Sequence, residues 1–220
     1  MNLKLTAFLP LLAILGCSNP ADNVPAAGVA AATNAPADTS GSPGAAGRSF
    51  AFGPNNSKIE FVGSKVTGSH NGSFKNFAGE FQVVDGHLAG SGNKIVIDMN
   101  SITADNDRLT GHLKTPDFFN VAQFPTATFI SSSVEQKATN STVTGNLTLH
   151  GVTKQISFPA NIKVSDTEVA VTSEFFLNRF DFDVKYPGKA NDLIRKEVVL
   201  KLDIKAAPGK AQFASVEAPK

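Results

Sequence analysis

Tryptophan is absent from the chain, tyrosine and cysteine occur once each, and methionine occurs twice. A single cysteine excludes an intrachain disulfide framework and every zinc site built from several cysteines. An excess of charge of either sign is also missing, with Lys and Arg totalling 20 against 19 for Asp and Glu. Lys4 is the one charged residue among the first sixteen, so the rest of the chain is balanced and carries no basic footprint for nucleic acid. The four histidines, His70, His87, His112 and His150, form neither an H-E-x-x-H nor an H-x-x-x-H pair. There is no G-x-S-x-G elbow and no glycine-rich loop leading into a helix, so nucleophilic catalysis and nucleotide binding lack support. Asp181 and Asp183 fall two apart on one strand face, which suits a solvated edge or partners for Arg179 and Lys185 better than an acid/base dyad. The expectation is a protein without catalytic residues, metal or cofactor.

What is present in excess is phenylalanine, 17 residues, the aromatic side chain with no hydrogen-bonding group. At the start of the chain, Lys4 is followed by an apolar run over residues 5–15 and then by Gly16 and Cys17. That run is about half a membrane-spanning length, and its basic start and small closing residue read as an export signal, residues 1–16. The sequence Ile14-Leu15-Gly16-Cys17 resembles a bacterial lipobox, in which Cys17 would become the acylated first residue of the mature chain. Acylation would hold the protein on a membrane without spanning it. Ser18 after the cysteine resembles outer-membrane sorting more than inner-membrane retention.

Residues 17–48 are mostly Ala, Pro, Gly, Ser, Asn and Thr, with Asp22, Asp38 and Arg48 as the charged residues and Val24 and Val29 as the only large apolar side chains after Cys17. Such a segment cannot bury enough to order itself, and it is expected to be a flexible tether reaching roughly 30 Å. From residue 49 to 206 the pattern changes to short alternating runs separated by Gly, Asn, Asp and Pro. These include Phe77-Gly79-Phe81-Val83 before the Asp85-Gly86 turn, a hairpin of residues 126–134 and 142–149, and Val198-Leu200-Leu202-Ile204 in the last strand. One segment, residues 105–114, reads as a helix with Asp105 at its N-cap and Pro116 beyond its end. Residues 207–220 form a tail.

About eight strands in one domain must hide their edges, and an antiparallel barrel does so by closing on itself. A barrel of eight strands is just wide enough to be filled by side chains or to hold one slender ligand. Phe61, Phe74, Phe81, Phe129, Phe158 and Phe175 sit on alternating faces that fit either interior. A register error of one residue would turn a whole strand outward.

Several blocks resemble the YceI-like family. They are Gly72-Ser73-Phe74 with Phe77-Ala78-Gly79-Glu80-Phe81, then His112-Leu113-Lys114-Thr115-Pro116-Asp117-Phe118-Phe119 with Gln123-Phe124-Pro125-Thr126-Ala127-Thr128-Phe129, in that order. Gly145-Asn146-Leu147-Thr148-Leu149-His150-Gly151-Val152-Thr153-Lys154 and Asn178-Arg179-Phe180-Asp181-Phe182 follow. The resemblance implies an all-β, eight-stranded antiparallel, lipocalin-like barrel with one short helix, and an apolar tunnel for a polyisoprenoid or related lipid. It also implies a non-catalytic role outside the cytoplasm, here in the periplasm or cell envelope, and extends to homodimers. The alternative is a structural or partner-binding envelope lipoprotein with a filled barrel. The sequence departs from the family pattern at Lys65-Val66-Thr67-Gly68-Ser69-His70 and over residues 186–191, both expected at the barrel mouth. His112 would either cap one tunnel end and meet a polar head or make a structural hydrogen bond. Arg179 would either present a fork suited to phosphate or form a salt bridge that closes the barrel.

Overall fold

The computed structural model describes residues 18–33 and 47–213, so the expected export signal, Cys17 and the last residues of the tail lie outside the described residues. A short strand, β1 (Gly28–Ala31), precedes the barrel. The first stave combines β2 (Arg48–Phe52) and β3 (Lys58–Lys65), and the second combines β4 (Gly68–Phe74) and β5 (Phe77–Val84). The third is built from β6 (His87–Leu88), β7 (Lys94–Asp98) and β8 (Ile102–Ala104). Four single-strand staves follow: β9 (Thr126–Glu135), β10 (Ser141–Leu149), β11 (Val152–Val164) and β12 (Val169–Asn178). After the small strand β13 (Gly188–Lys189), β14 (Asp192–Pro208) completes the ring. It pairs antiparallel with β12 on one side and with β3 and β2 on the other. The eight expected strands are thus eight staves, three of them broken into shorter strands.

Local chemistry explains the connections. Asp85 and Gly86 both adopt positive φ, 51° and 77°, the conformation that a tight turn between twisted strands requires. The helix α1 (Asp107–Leu113) is capped one residue later than expected, because Asn106 rather than Asp105 accepts from the Leu109 N–H, at 3.1 Å. Asp105 is engaged elsewhere, accepting from the Asn71 N–H at 3.0 Å and lying 2.8 Å from Nδ1 of His70. The Asn71 bond, and then His70, hold its carboxyl below the usual carboxylate range.

Three phenylalanines pack against glycines on the adjoining strand. Phe52 lies opposite Gly79 and Phe61 opposite Gly72, and a Cβ on either glycine would overlap the facing ring. A Cβ on Gly145 would meet the ring of Phe129 in the same way. A ring laid on bare backbone pins register and covers the main chain.

The tether expectation requires a correction over residues 18–33, while residues 34–46 of it lie outside the described residues. Residues 20–23 form a turn with Ala21 buried, and Asn19 Oδ1 accepts from Ser64 Oγ on β3 at 3.5 Å. The Phe176 N–H donates to Pro25 O and the Ala27 N–H to Phe176 O, both at 2.9 Å, while β1 pairs with residues 154–157 of β11. β11 and β12 pair only between Asn161–Val164 and Val169–Thr172 before parting. Continued register would set Ser157 opposite Phe176, but Gly28 pairs with Ser157 and Ala26 bridges Phe176, so the N-terminal segment occupies the seam. Between Ser64 and Phe176 it crosses β14, where outward-pointing Val199 is only 2% exposed. Small side chains fail as a core but suit a strap lying close on a sheet, and backbone hydrogen bonds supply its order.

Gly79→Ala is expected to lower stability by about 1–3 kcal/mol, because Phe52 is held against Phe81 at 4.7 Å between centroids and cannot move aside. Gly72→Ala should cost less, since Phe61 is only partly buried and can swing inward. Thermal unfolding of the two variants checks the order, and equal losses would remove the explanation.

Candidate binding tunnel

Alternation sends every second residue of each stave inward. These positions enclose a cavity of about 190 Å³. A water needs roughly 10–15 Å³ on that measure, so the barrel is far from filled. Ile59, Phe61 and Gly63 of β3 line it on one side, and Phe175 and Leu177 of β12 on another. Ile95, Leu147, Leu200 and Leu202 point into the same space and keep accessible surface although they face the interior, as expected of a hollow barrel. Gly63 contributes by having no side chain, since a Cβ there would have no atom within 4 Å.

The structure places Phe61, Phe74, Phe129, Phe158 and Phe175 around this cavity. Phe81 is not among them. It lines a second cavity of about 30 Å³ beyond Phe129 and Phe158, which border both spaces. Phe158 stacks on Phe175 with centroids 4.3 Å apart and planes 13° from parallel, and Phe129 leans on Phe158 at 5.7 Å. The three rings form a floor, and Phe81 lies beneath it beside Phe52. Its strand face was correctly read, but the level along the barrel axis is not encoded in alternation.

His112 does not line the cavity. Its Nε2 is 2.8 Å from Asp117 Oδ2, and its ring meets Phe118 and Tyr186 edge-on at 4.9 and 5.0 Å. The carboxylate partner five residues away fits no metal motif spacing, and among the described residues no three His, Cys, Asp or Glu side chains gather as a metal requires. The structural alternative for His112 is the one its contacts fit. It ties α1 to the loop that carries Phe118, which does line the cavity.

Arg179 is buried in the short 3-10 turn after β12 and borders the cavity, but neither expected role describes its guanidinium. Nε donates to Arg195 O at 3.0 Å, Nη1 to Val184 O at 2.6 Å, and Nη2 to Tyr186 O and Ile194 O at 2.7 and 3.3 Å. These four carbonyls come from the loop over 184–186 and the start of β14, so the planar fork holds the end of the barrel together. Burial lowers its pKa, yet a guanidinium remains charged. Asp183 pairs with Lys185 at 2.6 Å instead, which holds the Asp183 carboxyl below its usual range.

The aliphatic half of the lining, notably Leu147, Leu177, Leu200 and Leu202, and the open position at Gly63 were missed as site residues. The signal was present in the alternation of the same strands, whereas attention to phenylalanine selected by residue type. Arg179→Lys should destabilise the protein by at least about 2 kcal/mol, because an ammonium cannot reach four divergent carbonyls and buried acceptors are left unpaired. Urea unfolding measures this. Retention of full stability with a loss confined to anionic ligands would instead make Arg179 a head-group residue.

Comparison with known proteins agrees with this architecture. The family described as YceI-like domain matches residues 50–206. Protein YceI of Salmonella arizonae is 37% identical over 91 residues, covering 41% of this chain and 48% of the relative, and that of Salmonella newport matches equally. The alignment thus spans about half the length of these curated relatives. Among solved structures, BcnA of Burkholderia cenocepacia is similar with a TM-score of 0.64 and 23% identity, covering 71% of this chain and 99% of that one. A polyisoprenoid binding domain from Saccharophagus degradans, implicated in plant cell wall breakdown, has a TM-score of 0.59 and 20% identity, covering 74% and 99%. The closed eight-stave barrel and the match across its whole length establish that the chain belongs to the YceI-like family.

Proposed function

We propose that this protein binds a long apolar chain, a polyisoprenoid or an acyl lipid, in its barrel and carries it at the bacterial cell envelope without altering it chemically. The hollow interior carries the reading. Hydrocarbon entering it would replace water against apolar walls, gaining roughly 25 cal/mol per Å² buried with no hydrogen bonds to satisfy. The printed description of the Saccharophagus degradans domain as polyisoprenoid binding adds support. Branched isoprenoid chains suit a lumen whose calibre is set by phenylalanine and leucine in alternation. The polar end of the ligand would lie at or outside the mouth, since Arg179 is occupied by carbonyls.

The site of action is part of the same proposal. Cys17 is acylated after removal of residues 1–16, which places the domain in the periplasm on a lipid anchor, with the outer membrane favoured by Ser18. The Cys17→Ser chain is expected to move from the membrane pellet to the soluble periplasmic fraction. Continued pelleting of that variant would remove the anchor.

Native mass spectrometry on the full chain purified from the bacterial envelope should reveal a stoichiometric isoprenoid or acyl compound. Gly63→Phe should keep the fold, because its Cβ meets open space, and reduce lipid uptake by at least about tenfold by filling the lumen. A protein that emerges empty and also refuses added polyprenyl lipid would overturn carriage.

A further inference from the structure

We propose that the barrel end carrying Val66, Leu193 and Phe180 is the face with which this protein docks on a lipid bilayer. Four large apolar side chains are exposed among the described residues, Val29, Val66, Phe180 and Leu193, and the last three share one end of the barrel. Val66, 54% exposed, lies in the turn between β3 and β4, and Leu193, 50% exposed, lies at the start of β14. A hydrogen bond from the Val66 N–H to Leu193 O, at 3.1 Å, sets the two tips side by side. Phe180, 42% exposed, is joined to them through Arg179, whose guanidinium lies 4.7 Å from the Phe180 ring centroid and donates to Ile194 O and Arg195 O. These are also the elements at which Arg179, Val184, Ile194 and Arg195 border the tunnel.

The charge at this end is mixed, with cations available to lipid phosphates among the apolar tips. Its carboxylates include Asp181, Asp183, Asp192 and Glu197, together with Asp22, which accepts from the Asn19 N–H beside Ser64, and with Asp105 and Asp117, which lie against His70 and His112. Lys185 pairs with Asp183, and Lys65 pairs with Asp192. Lys189, Arg195 and Lys196 carry no ion pair among the described residues, and neither do Asp22, Asp181 and Glu197 on the acidic side. Apolar tips interspersed with unpaired cations are the composition that enters the boundary between head groups and acyl chains.

The course of the chain selects a bilayer as the occupant. Described residues begin at Ser18, and Asn19 is fixed to Ser64, the neighbour of Lys65 and Val66. One residue reaches at most about 3.6 Å, so whatever precedes Ser18 emerges beside this end. What precedes it is Cys17 and the apolar run over residues 5–15. The docking face rests on the anchoring reading for its tie to a membrane, but the exposed tips and the fixed strap are independent of any lipid inside the barrel. Docked in this way, the tunnel end would face the bilayer directly, with no 30 Å tether intervening.

The absence of native tryptophan makes a test direct, since one introduced indole reports alone. Val66→Trp, Leu193→Trp and Thr167→Trp would each be made in the full chain, Thr167 being an exposed turn residue between β11 and β12 at the opposite end. Each is reconstituted on phosphatidylethanolamine–phosphatidylglycerol vesicles with brominated acyl chains, and bound protein is recovered by flotation. The expected result is strong quenching at 66 and 193 and none at 167. Quenching at 167 alone, equal quenching at all three, or none at 66 and 193 in vesicle-bound protein would each overturn the proposal. Because these positions point outward, the readout is separate from carriage. A barrel that is empty in mass spectrometry and refuses added polyprenyl lipid, with positions 66 and 193 quenched, would refute carriage and leave docking standing, and the reverse pattern would do the opposite.

Discussion

Closing eight antiparallel staves on themselves removes every sheet edge from the wall but leaves an axis that must be either filled or empty. In this protein the answer is set by rings lying on glycines. Phe61 rests on Gly72 and Phe52 on Gly79, so these side chains lie along the wall instead of crossing it. Below, Phe129, Phe158 and Phe175 meet across the axis and form a floor. The lumen is therefore bounded by side chains whose positions follow from strand register. Register in turn follows from alternation and from turns such as Asp85-Gly86.

Most of the barrel was legible because its signals are local. Alternation gave the strands, positive-φ turn residues gave one reversal, and the blocks at residues 112–129 and 145–154 gave the family. The parts that escaped depend on contacts distant in sequence. Asp105 looks like a helix cap until His70 and the Asn71 N–H claim its carboxylate from another strand. Phe81 shares an alternating face with tunnel residues but lies below the floor, a difference of height that period two does not encode. Residues 18–33 have no core-forming composition, yet they are ordered by hydrogen bonds to β11 and β12, more than 120 residues away. Composition predicts whether a segment can build a core; it does not predict whether a core will offer it a place.

Arg179 illustrates how a charge can be structural without a counterion. Its four acceptors are neutral carbonyls, and their arrangement around a planar fork brings the turn after β12, the loop over 184–186 and the start of β14 to one point. The loop over 186–191 is anchored at its start through backbone atoms, Tyr186 O accepting from Arg179 and Pro187 O from the Ile194 N–H. The opposite side of the same barrel end is held by His112, Phe118 and Tyr186 in mutual ring contact. The end of the tunnel is thus fastened on both sides by groups that take no direct part in its apolar lining, apart from Phe118 and the stem of Arg179.

The strap in the seam between β11 and β12 has a consequence for the order of assembly. It belongs to the part of the chain that is made first, but the slot it fills lies between β11 and β12, more than 120 residues further on. Every other stave can zip onto a neighbour near it in sequence, except at the ring closure, and such local pairings form early. Residues 18–33 must wait for these two strands. Pairing so distant in sequence is expected to form late, and with few side chains holding it the segment is expected to open early. The strap thereby reports that β11 and β12 have come together.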